Sequence, residues 1–289
     1  MTRAEILRAD VVEVCRRLYN RGYVPATDGN VSVRLDDTRL LATPKGVAKG
    51  FLTPDMLVVT DLTGKKLEGA REPSSEILMH VAVYADRPDV QAVVHAHPPM
   101  ATGFAVAGIP LDRAVLAEVV TTLGSIPIAD YGTPSTAELP ATVKRYIKAH
   151  DGLLLANHGA LTAGKDLYAA LYKMETIEHF AHISLTARLL GRERVLSREE
   201  VARLQSLRGN YGIASPAPLC LDGPVDVGGN SVSCQVVQAP DAPGRKLVDE
   251  GVGRGIGARW AAGDSTDGEI RLTYRELVAL IEDAVRALA

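Results

Sequence analysis

The feature that most constrains this chain is the segment VQAVVHAHPP at residues 90–99, where a short apolar run ends in two histidines and two prolines. Its length and its valines predict a buried strand that ends at the prolines. Side chains two residues apart on a strand point to the same side, so His95 and His97 are expected to project together while Ala96 faces away. Two imidazoles held side by side provide half of a zinc-type site.

A third histidine ends another predicted buried strand, in the segment GLLLANHG at 152–159. Three histidines with one open position are typical of a catalytic metal site, which makes His158 the expected third ligand. The alternative is that these imidazoles are hydrogen-bonded residues at strand ends, which would be the better interpretation of a single histidine. The remaining histidines fall on predicted helices or at their ends, and they are interpreted as surface or packing residues: His80, His150, His179 and His182.

Composition excludes several other classes of protein. The chain has 289 residues, of which 46% are hydrophobic, so a large core can form. A net charge of −3 without a basic face argues against nucleic acid as a partner. The three cysteines are widely spaced and odd in number, which favours reduced thiols in a cytoplasmic protein. The N-terminus lacks a signal-peptide pattern and no apolar run reaches membrane-spanning length, so no membrane partner is expected.

Apolar periodicity predicts helices and strands that are mixed along the first 212 residues. The predicted helices cover 3–21, 74–88, 138–151, 166–191 and 197–212. The predicted strands lie at 31–35, at the start of 40–46, within 56–62, at 90–97, around 126–128 and at 152–159. Because no strict strand–helix–strand rhythm is kept, the pattern predicts one layered α/β domain with a mixed, partly antiparallel sheet over residues 1–212.

The composition changes after residue 212. Residues 213–271 are rich in glycine and proline and are interpreted as a flexible linker. The GVGRGIG run at 251–257 lacks a strand before it and a helix directly after it, so it is not interpreted as a phosphate loop. Residues 272–289 predict a short amphipathic helix that begins with a capping box at Thr273 and Glu276.

Five short motifs, taken in order, resemble the class II aldolase/adducin family. They are GNVS at 29–32, TPKG at 43–46, SSE at 74–76, HAHPP at 95–99 and NHG at 157–159. The resemblance covers roughly residues 5–212 and is closest to the fuculose-phosphate aldolases. It implies a three-layer α/β/α fold and a homotetramer with fourfold symmetry, whose active sites lie between subunits.

The resemblance also implies a role for each matching residue. A divalent cation, Zn2+ or alternatively Mn2+, would be held by His95, His97 and His158, while Glu76 would touch the metal site and act as the catalytic base. Tyr211 would close over the substrate, although packing at a helix end is an equal alternative. The implied phosphate pocket consists of turn amides, hydroxyls and one cation: Thr27, Gly29, Asn30, Lys45, Gly46, Ser74 and Ser75.

One departure from the family concerns the catalytic acid. In the family this acid is a tyrosine from a neighbouring subunit, but the corresponding segment GIPLDRAVLAEVV at 108–120 contains no tyrosine. The proton donor is therefore left open among water, Glu118 and Tyr131.

The expected reaction is retro-aldol cleavage of a sugar phosphate, a ketose 1-phosphate such as L-fuculose 1-phosphate, to dihydroxyacetone phosphate and an aldehyde such as lactaldehyde. The alternatives on the same scaffold are a pentulose-phosphate 4-epimerase, a sugar-phosphate dehydratase or a decarboxylase. Epimerases commonly carry aspartate where this chain has Glu76. A non-catalytic, adducin-like interaction module is disfavoured because all three histidines and Glu76 are present.

The C-terminal helix resembles the encapsulation peptides that recruit enzymes into bacterial microcompartments. The apolar face of such a short helix is stable only when it packs into a groove of another protein. This favours a shell protein as partner and a location inside such a compartment. The alternative is that the helix docks on its own tetramer.

Overall fold

The computed structural model describes residues 2–211 and two short strands at 225–227 and 230–232, with side chains described for residues 2–210. The helices are α1 Arg3–Asn20, α2 Ile77–Asp86, α3 Pro99–Ala107, α4 Ala117–Thr122, α5 Glu138–Ile147, α6 Leu167–Leu189 and α7 Arg198–Ser206. The strands are β1 Asn30–Arg34, β2 Arg39–Ala42, β3 Val58–Asp61, β4 Lys66–Glu68, β5 Ala92–Ala96, β6 Ile128–Ala129, β7 Gly152–Leu155, β8 Gly159–Gly164, β9 Val225–Val227 and β10 Asn230–Val232. Short 3-10 helices lie at Lys49–Phe51, Pro54–Met56 and Arg208–Tyr211.

Eight strands form one sheet in the order β4-β3-β2-β1-β5-β8-β7-β6. Neighbouring strands are antiparallel except for β6 and β7, which run parallel. The sheet is therefore mixed, as predicted, and more antiparallel than parallel. The strands β9 and β10 pair with each other as a separate antiparallel ribbon.

Helices cover both faces of this sheet. On one face α1, α3 and α6 pack against strand residues such as Val94, in a core that includes Val14, Phe104 and Ile177. On the other face α2 and α5 pack against strand residues such as Val93. The predicted three-layer α/β/α fold is confirmed, and the period-2 alternation of strand side chains explains why Val93 and Val94 belong to opposite layers.

The turn that holds His158 differs from the prediction. The segment 152–159 is not one strand: β7 ends at Leu155, a turn follows, and β8 returns antiparallel from Gly159. Asn157 adopts φ +54° in this turn, a left-handed conformation that asparagine tolerates better than most residues. The small residues of GALTAG give β8 little strand propensity, so its pairing with β5 decides its conformation.

Two of the helices were missed by the sequence prediction, namely α3 and α4. The helix predicted from residue 74 begins at Ile77, which leaves Ser74 and Ser75 in the preceding turn. None of the helices in the described ranges is both long and apolar enough to cross a membrane. The predicted linker, apart from β9 and β10, and the predicted helix at 272–289 lie outside the described residues.

Candidate metal centre and active site

Strand pairing places the first histidine at the middle of the sheet. On one side of β5, His95 lies opposite Asn30 of β1, and on the other side it lies opposite Leu161 of β8. The turn between β7 and β8 therefore brings His158 beside the end of β5, next to His97. In this way the register of three antiparallel strands brings together histidines that are 63 positions apart in the chain.

The three histidines form one compact cluster. Each offers a ring nitrogen, and these nitrogens all lie within 4.8 Å of one another. The Nε2 atoms of His95 and His97 are 3.1 Å apart, and the ring of His158 lies 4.7 Å from that of His95 between centroids. His95 is fully buried, and the side chains of His158 and His97 are 10% and 21% exposed.

Hydrogen bonds at the far side of two rings determine which nitrogen faces the cluster. Nδ1 of His95 donates to the carbonyl oxygen of Ala160 at 2.9 Å, and Nδ1 of His97 lies 3.3 Å from Oδ2 of Asp28. Nε2 of each ring is then free of its proton and directs its lone pair inward, the arrangement found around metal-binding histidines. Burial lowers the pKa of His95 to about 3, and burial followed by repulsion from His158 also lowers the pKa of His97.

Glu76 closes the cluster from the N-terminal end of α2. Its Oε1 lies 3.2 Å from Nε2 of His158 and its Oε2 lies 3.4 Å from Nε2 of His95. Burial alone would raise the pKa of Glu76, but its contact with His158 and the N–H donated by Asn30 hold that pKa well below the usual range. The carboxylate is therefore ionised.

The donor set fits a divalent cation. Unprotonated nitrogens 3.1 Å apart repel each other unless a proton or a cation lies between them. Among the described residues, buried Oε1 of Glu76 and Nδ1 of His158 have no hydrogen-bond partner, although that Oε1 is in ion-pair contact with His158. Three imidazoles and a carboxylate suit Zn2+ and are also acceptable to Mn2+.

The residues assigned to the phosphate pocket lie on three loops that contact one another. The amide of Lys45 donates to the carbonyl of Glu72 at 2.9 Å, and the amide of Ser74 donates to the carbonyl of Thr43 at 3.1 Å. Within these loops Thr27, Lys45, Gly46 and Ser75 are exposed, as an anion-binding surface requires. Asn30 differs because it is 4% exposed, and its side-chain amide already bonds Glu76 and His80.

A buried lysine that the sequence interpretation missed connects two of these loops. Lys49 is 2% exposed, and its Nζ donates to the carbonyls of Thr27 at 2.8 Å and Val47 at 3.0 Å. Burial lowers the pKa of this amine. In the sequence AKGFL nothing distinguishes Lys49 from a solvated turn lysine, because its partners are identified only by the way the chain folds.

The two side chains proposed as catalytic acid, Glu118 and Tyr131, and the proposed substrate-closing Tyr211 lie outside the histidine cluster. Glu118 is in the first turn of α4 and lines a cleft of about 720 Å³ together with Tyr172 and His179. Tyr131 is 58% exposed. Tyr211 ends the last 3-10 helix, and its side chain lies outside the described residues.

The sequence profile of the family called Class II Aldolase and Adducin N-terminal domain matches residues 9–185. An L-fuculose phosphate aldolase of Methanococcus maripaludis is 35% identical over 175 residues, which cover 61% of this chain and 94% of that protein. A 3-oxo-tetronate 4-phosphate decarboxylase of Pectobacterium atrosepticum is 32% identical, covering 68% and 91% of the two chains. A methylthioribulose-1-phosphate dehydratase of Pseudomonas savastanoi is 35% identical, covering 64% and 96%.

Solved structures give a consistent result. An L-fuculose 1-phosphate aldolase superposes with a TM-score of 0.65 and 30% identity, covering 69% of this chain and 94% of that one. The l-fuculose-1-phosphate aldolase of Thermus thermophilus superposes with a TM-score of 0.58 and 33% identity, covering 67% and 100%. The similarity therefore extends over nearly the whole of each relative and about two thirds of this chain.

Proposed function

This chain belongs to the class II aldolase and adducin family, and from that premise we propose that it is a metal-dependent aldolase acting on a ketose 1-phosphate. The observation that carries the proposal is the convergence of three histidines and an ionised glutamate beside a set of exposed turn residues suited to an anion. L-Fuculose 1-phosphate, cleaved to dihydroxyacetone phosphate and lactaldehyde, is the proposed substrate. Relatives of similar identity include fuculose-phosphate aldolases.

His95, His97 and His158 would hold the metal, and Glu76 lies close enough to touch the same ion. A bound divalent cation supplies Lewis acidity, which stabilises negative charge on oxygen as the carbon–carbon bond breaks. The donor set favours zinc, with manganese as the alternative.

Glu76 is proposed to move the proton at the carbon that becomes part of dihydroxyacetone phosphate. In the condensation direction the ionised carboxylate accepts that proton, and in cleavage the protonated carboxyl gives it back to the same carbon as the carbon–carbon bond breaks. The contact with His158 favours the ionised form, and the buried position shields the transfer from bulk water. The proposed partners of the substrate phosphate are the amides and hydroxyls at Thr27, Gly29, Asn30, Gly46, Ser74 and Ser75, together with the ammonium of Lys45. Tyr211 is proposed to close over the bound substrate.

Decarboxylation or dehydration of a related sugar phosphate is the second candidate, because two relatives of comparable identity carry those names. The three reactions have different products. Cleavage releases dihydroxyacetone phosphate, decarboxylation releases carbon dioxide, and dehydration leaves a single phosphorylated product with one water fewer.

The deciding experiment supplies the metal-loaded protein with a panel of ketose 1-phosphates, a 3-oxo-tetronate 4-phosphate and methylthioribulose 1-phosphate. Dihydroxyacetone phosphate is detected with glycerol-phosphate dehydrogenase, and the other products by mass spectrometry. We expect dihydroxyacetone phosphate from L-fuculose 1-phosphate. Turnover of only the 3-oxo-tetronate 4-phosphate, or of only methylthioribulose 1-phosphate, would refute the aldolase assignment.

Replacing Glu76 with glutamine tests the proposed base. The amide keeps the shape of the side chain but cannot accept a proton, so kcat should fall by about 10²-fold or more. Bound zinc, measured by elemental analysis, should stay near the wild-type level because three histidines remain. Unchanged turnover would refute the role of Glu76, and less than about a tenth of an equivalent of metal in the wild-type protein would favour a non-catalytic module.

The assembly is also part of the proposal. We propose a homotetramer with active sites between subunits, as the resemblance to the family implies, and this can be measured by light scattering. The segment 272–289 is proposed to bind a microcompartment shell protein, which would place the enzyme inside such a compartment in the cytoplasm.

A further inference from the structure

We propose that Ser32 and His80 are positioning residues that set the orientation of the Asn30 amide, so that Glu76 presents its Oε1 and not its Oε2 to the substrate. The inference rests on the proposed role of Glu76 as the base. Neither Ser32 nor His80 is among the residues proposed to bind the metal, to bind the substrate phosphate or to transfer a proton.

The four side chains form an unbroken chain of hydrogen bonds between β1 and α2. Nδ2 of Asn30 donates to Oε2 of Glu76 at 2.8 Å, and Oδ1 of Asn30 is in hydrogen-bond contact with Nε2 of His80. Nδ1 of His80 lies 2.6 Å from the hydroxyl of Ser32. Ser32, His80 and Asn30 are at most 4% exposed, so water does not compete for these contacts.

Each bond in this chain has only one workable direction. A carboxylate only accepts, so Asn30 must turn its NH2 group toward Glu76 and its carbonyl oxygen toward His80. That oxygen also only accepts, so the proton of His80 must sit on Nε2. Burial lowers the pKa of His80 to about 4, which leaves the ring neutral with a single N–H.

Nδ1 of His80 is then an acceptor, and its donor is the hydroxyl of Ser32. The second hydroxyl nearby, that of Tyr84, lies 2.9 Å from Ser32 and supplies the proton that the Ser32 oxygen accepts. Every donor therefore points toward Glu76. The consequence is that Oε2 of Glu76 is occupied by an N–H, while the lone pairs of Oε1 stay available on the side of His158.

Replacing Ser32 with alanine removes the donor that keeps Nδ1 of His80 unprotonated. The neutral ring can then carry its proton on Nδ1. Nε2 becomes an acceptor and faces Oδ1 of Asn30, which also only accepts. In that tautomer the Asn30 oxygen has no donor, so the amide is no longer held with its NH2 group against Oε2 of Glu76. The carboxylate loses its anchor and the base is misplaced.

The experiment uses the full, metal-loaded chain. We expect Ser32→Ala to lower kcat by about tenfold or more, with KM for the ketose 1-phosphate changed less than about threefold and bound zinc unchanged. The matched control is Thr60→Val, which removes a buried hydroxyl on β3 that has no hydrogen-bond partner within the described part of the chain. This control should leave kcat at the wild-type value.

A second pair of variants tests the direction of the bonds. Glutamine at position 80 can still offer an N–H to Asn30, whereas leucine cannot, so His80→Gln should retain clearly more kcat than His80→Leu. Equal loss in both variants, or a Ser32→Ala enzyme as active as Thr60→Val, would overturn the proposal. Loss of zinc or of folded structure in Ser32→Ala would also overturn it, since it would mean a structural role.

Nitrogen-15 NMR of histidine-labelled protein gives a readout that does not depend on turnover. The wild-type protein should show His80 with its proton on Nε2, and Ser32→Ala should show this tautomer lost or mixed. If the wild-type protein has no aldolase activity, the proposed function fails while the NMR result still decides the bond directions. A wild-type His80 with its proton on Nδ1 would refute the inference outright.

Discussion

At the scale of single residues, Gly29 shows how closely the first loop approaches the metal centre. It adopts φ +70°, and a Cβ placed there would lie 2.5 Å from Cγ1 of Val24 and 2.8 Å from the carbonyl oxygen of His95. Any side chain would therefore collide with the strand that carries His95, the first proposed metal ligand. The glycine of GNVS allows the proposed anion-binding turn to pack directly against β5.

Lys49 is the residue for which the structure adds most to the sequence interpretation. Its ammonium donates to the carbonyls of Thr27 and Val47, so it holds two of the proposed phosphate-binding loops together and places a positive charge beside them. Replacing Lys49 with methionine keeps the volume but removes both bonds and the charge. We expect KM for the phosphorylated substrate to rise by about tenfold or more, while kcat at saturation changes much less.

Steady-state kinetics with the ketose 1-phosphate measures this effect. The control is Lys65→Met, which removes the charge of an exposed lysine on the turn after β3 and should leave KM unchanged. A KM for Lys49→Met equal to that of the control would show that the buried ammonium makes no contribution to phosphate binding.

At the scale of elements, the start of α3 is held by a helix that follows much later in the chain. The carboxylate of Glu178 on α6 accepts hydrogen bonds from the amides of Met100 at 3.0 Å and Ala101 at 2.8 Å. These amides have no partner within the first turn of a helix, and a carboxylate there also complements the helix dipole. Because α3 directly follows the His95–Pro99 segment, this cap also supports the loop that carries His97.

We expect Glu178→Ala to lower the free energy of unfolding by about 1–2 kcal/mol, the usual cost of losing an N-terminal cap. The control is Glu175→Ala, one turn earlier on α6, which removes a surface ion pair with Arg21 and should cost less than about 1 kcal/mol. Urea unfolding followed by circular dichroism measures both. If both variants lost the same free energy of unfolding, the amides of Met100 and Ala101 would be bound by water or another acceptor when Glu178 is absent.

The missed helix α3 illustrates the limit of local patterns. The sequence PPMATGFAVAG begins with prolines and has few polar residues, so its periodicity is weak. Its helical conformation depends on a cap from residue 178 and on burial of Phe104 against α6. A left-handed glycine at position 108 ends the helix.

At the scale of the whole molecule, the relatives indicate which part of the chain forms the enzyme. Their matches cover 91–96% of their own length but only 61–68% of this chain. Deleting residues 270–289 should therefore leave the rate of ketose 1-phosphate cleavage and the bound metal unchanged. Association with shell protein, measured by co-sedimentation, should be abolished.

Loss of activity or of the tetramer in this truncated chain would mean that the C-terminal segment supports the enzyme itself. The matched control is a chain in which residues 272–289 are kept but the apolar stripe is broken by Leu277→Glu and Ile281→Glu. We expect this control to behave like the deletion, because the proposed interaction depends on the apolar face of the helix that the sequence predicts.

Much of the architecture could be predicted from the sequence because the signals are local. Alternation predicted β1, and short apolar runs predicted β3 and β5. A capping-box pattern at Ser197 and Glu200 with helical periodicity predicted α7, and these two residues form that box in the structure. The pairing of His95 with His97 also follows from two-residue spacing on one strand. The membership of the family was evident from five motifs, each only three to five residues long.

The tertiary structure alone decided which distant groups meet. The hairpin turn at His158, the Glu178 cap, the Lys49 bridge and the Asn30–His80 contact each join groups that only strand register and helix packing bring together. A sequence pattern reports the environment of a residue with respect to its own strand or helix, whereas a hydrogen bond to a residue 46 or 77 positions away depends on the whole fold. The three candidate ligands could therefore be identified from the sequence, whereas the atoms that orient them could not.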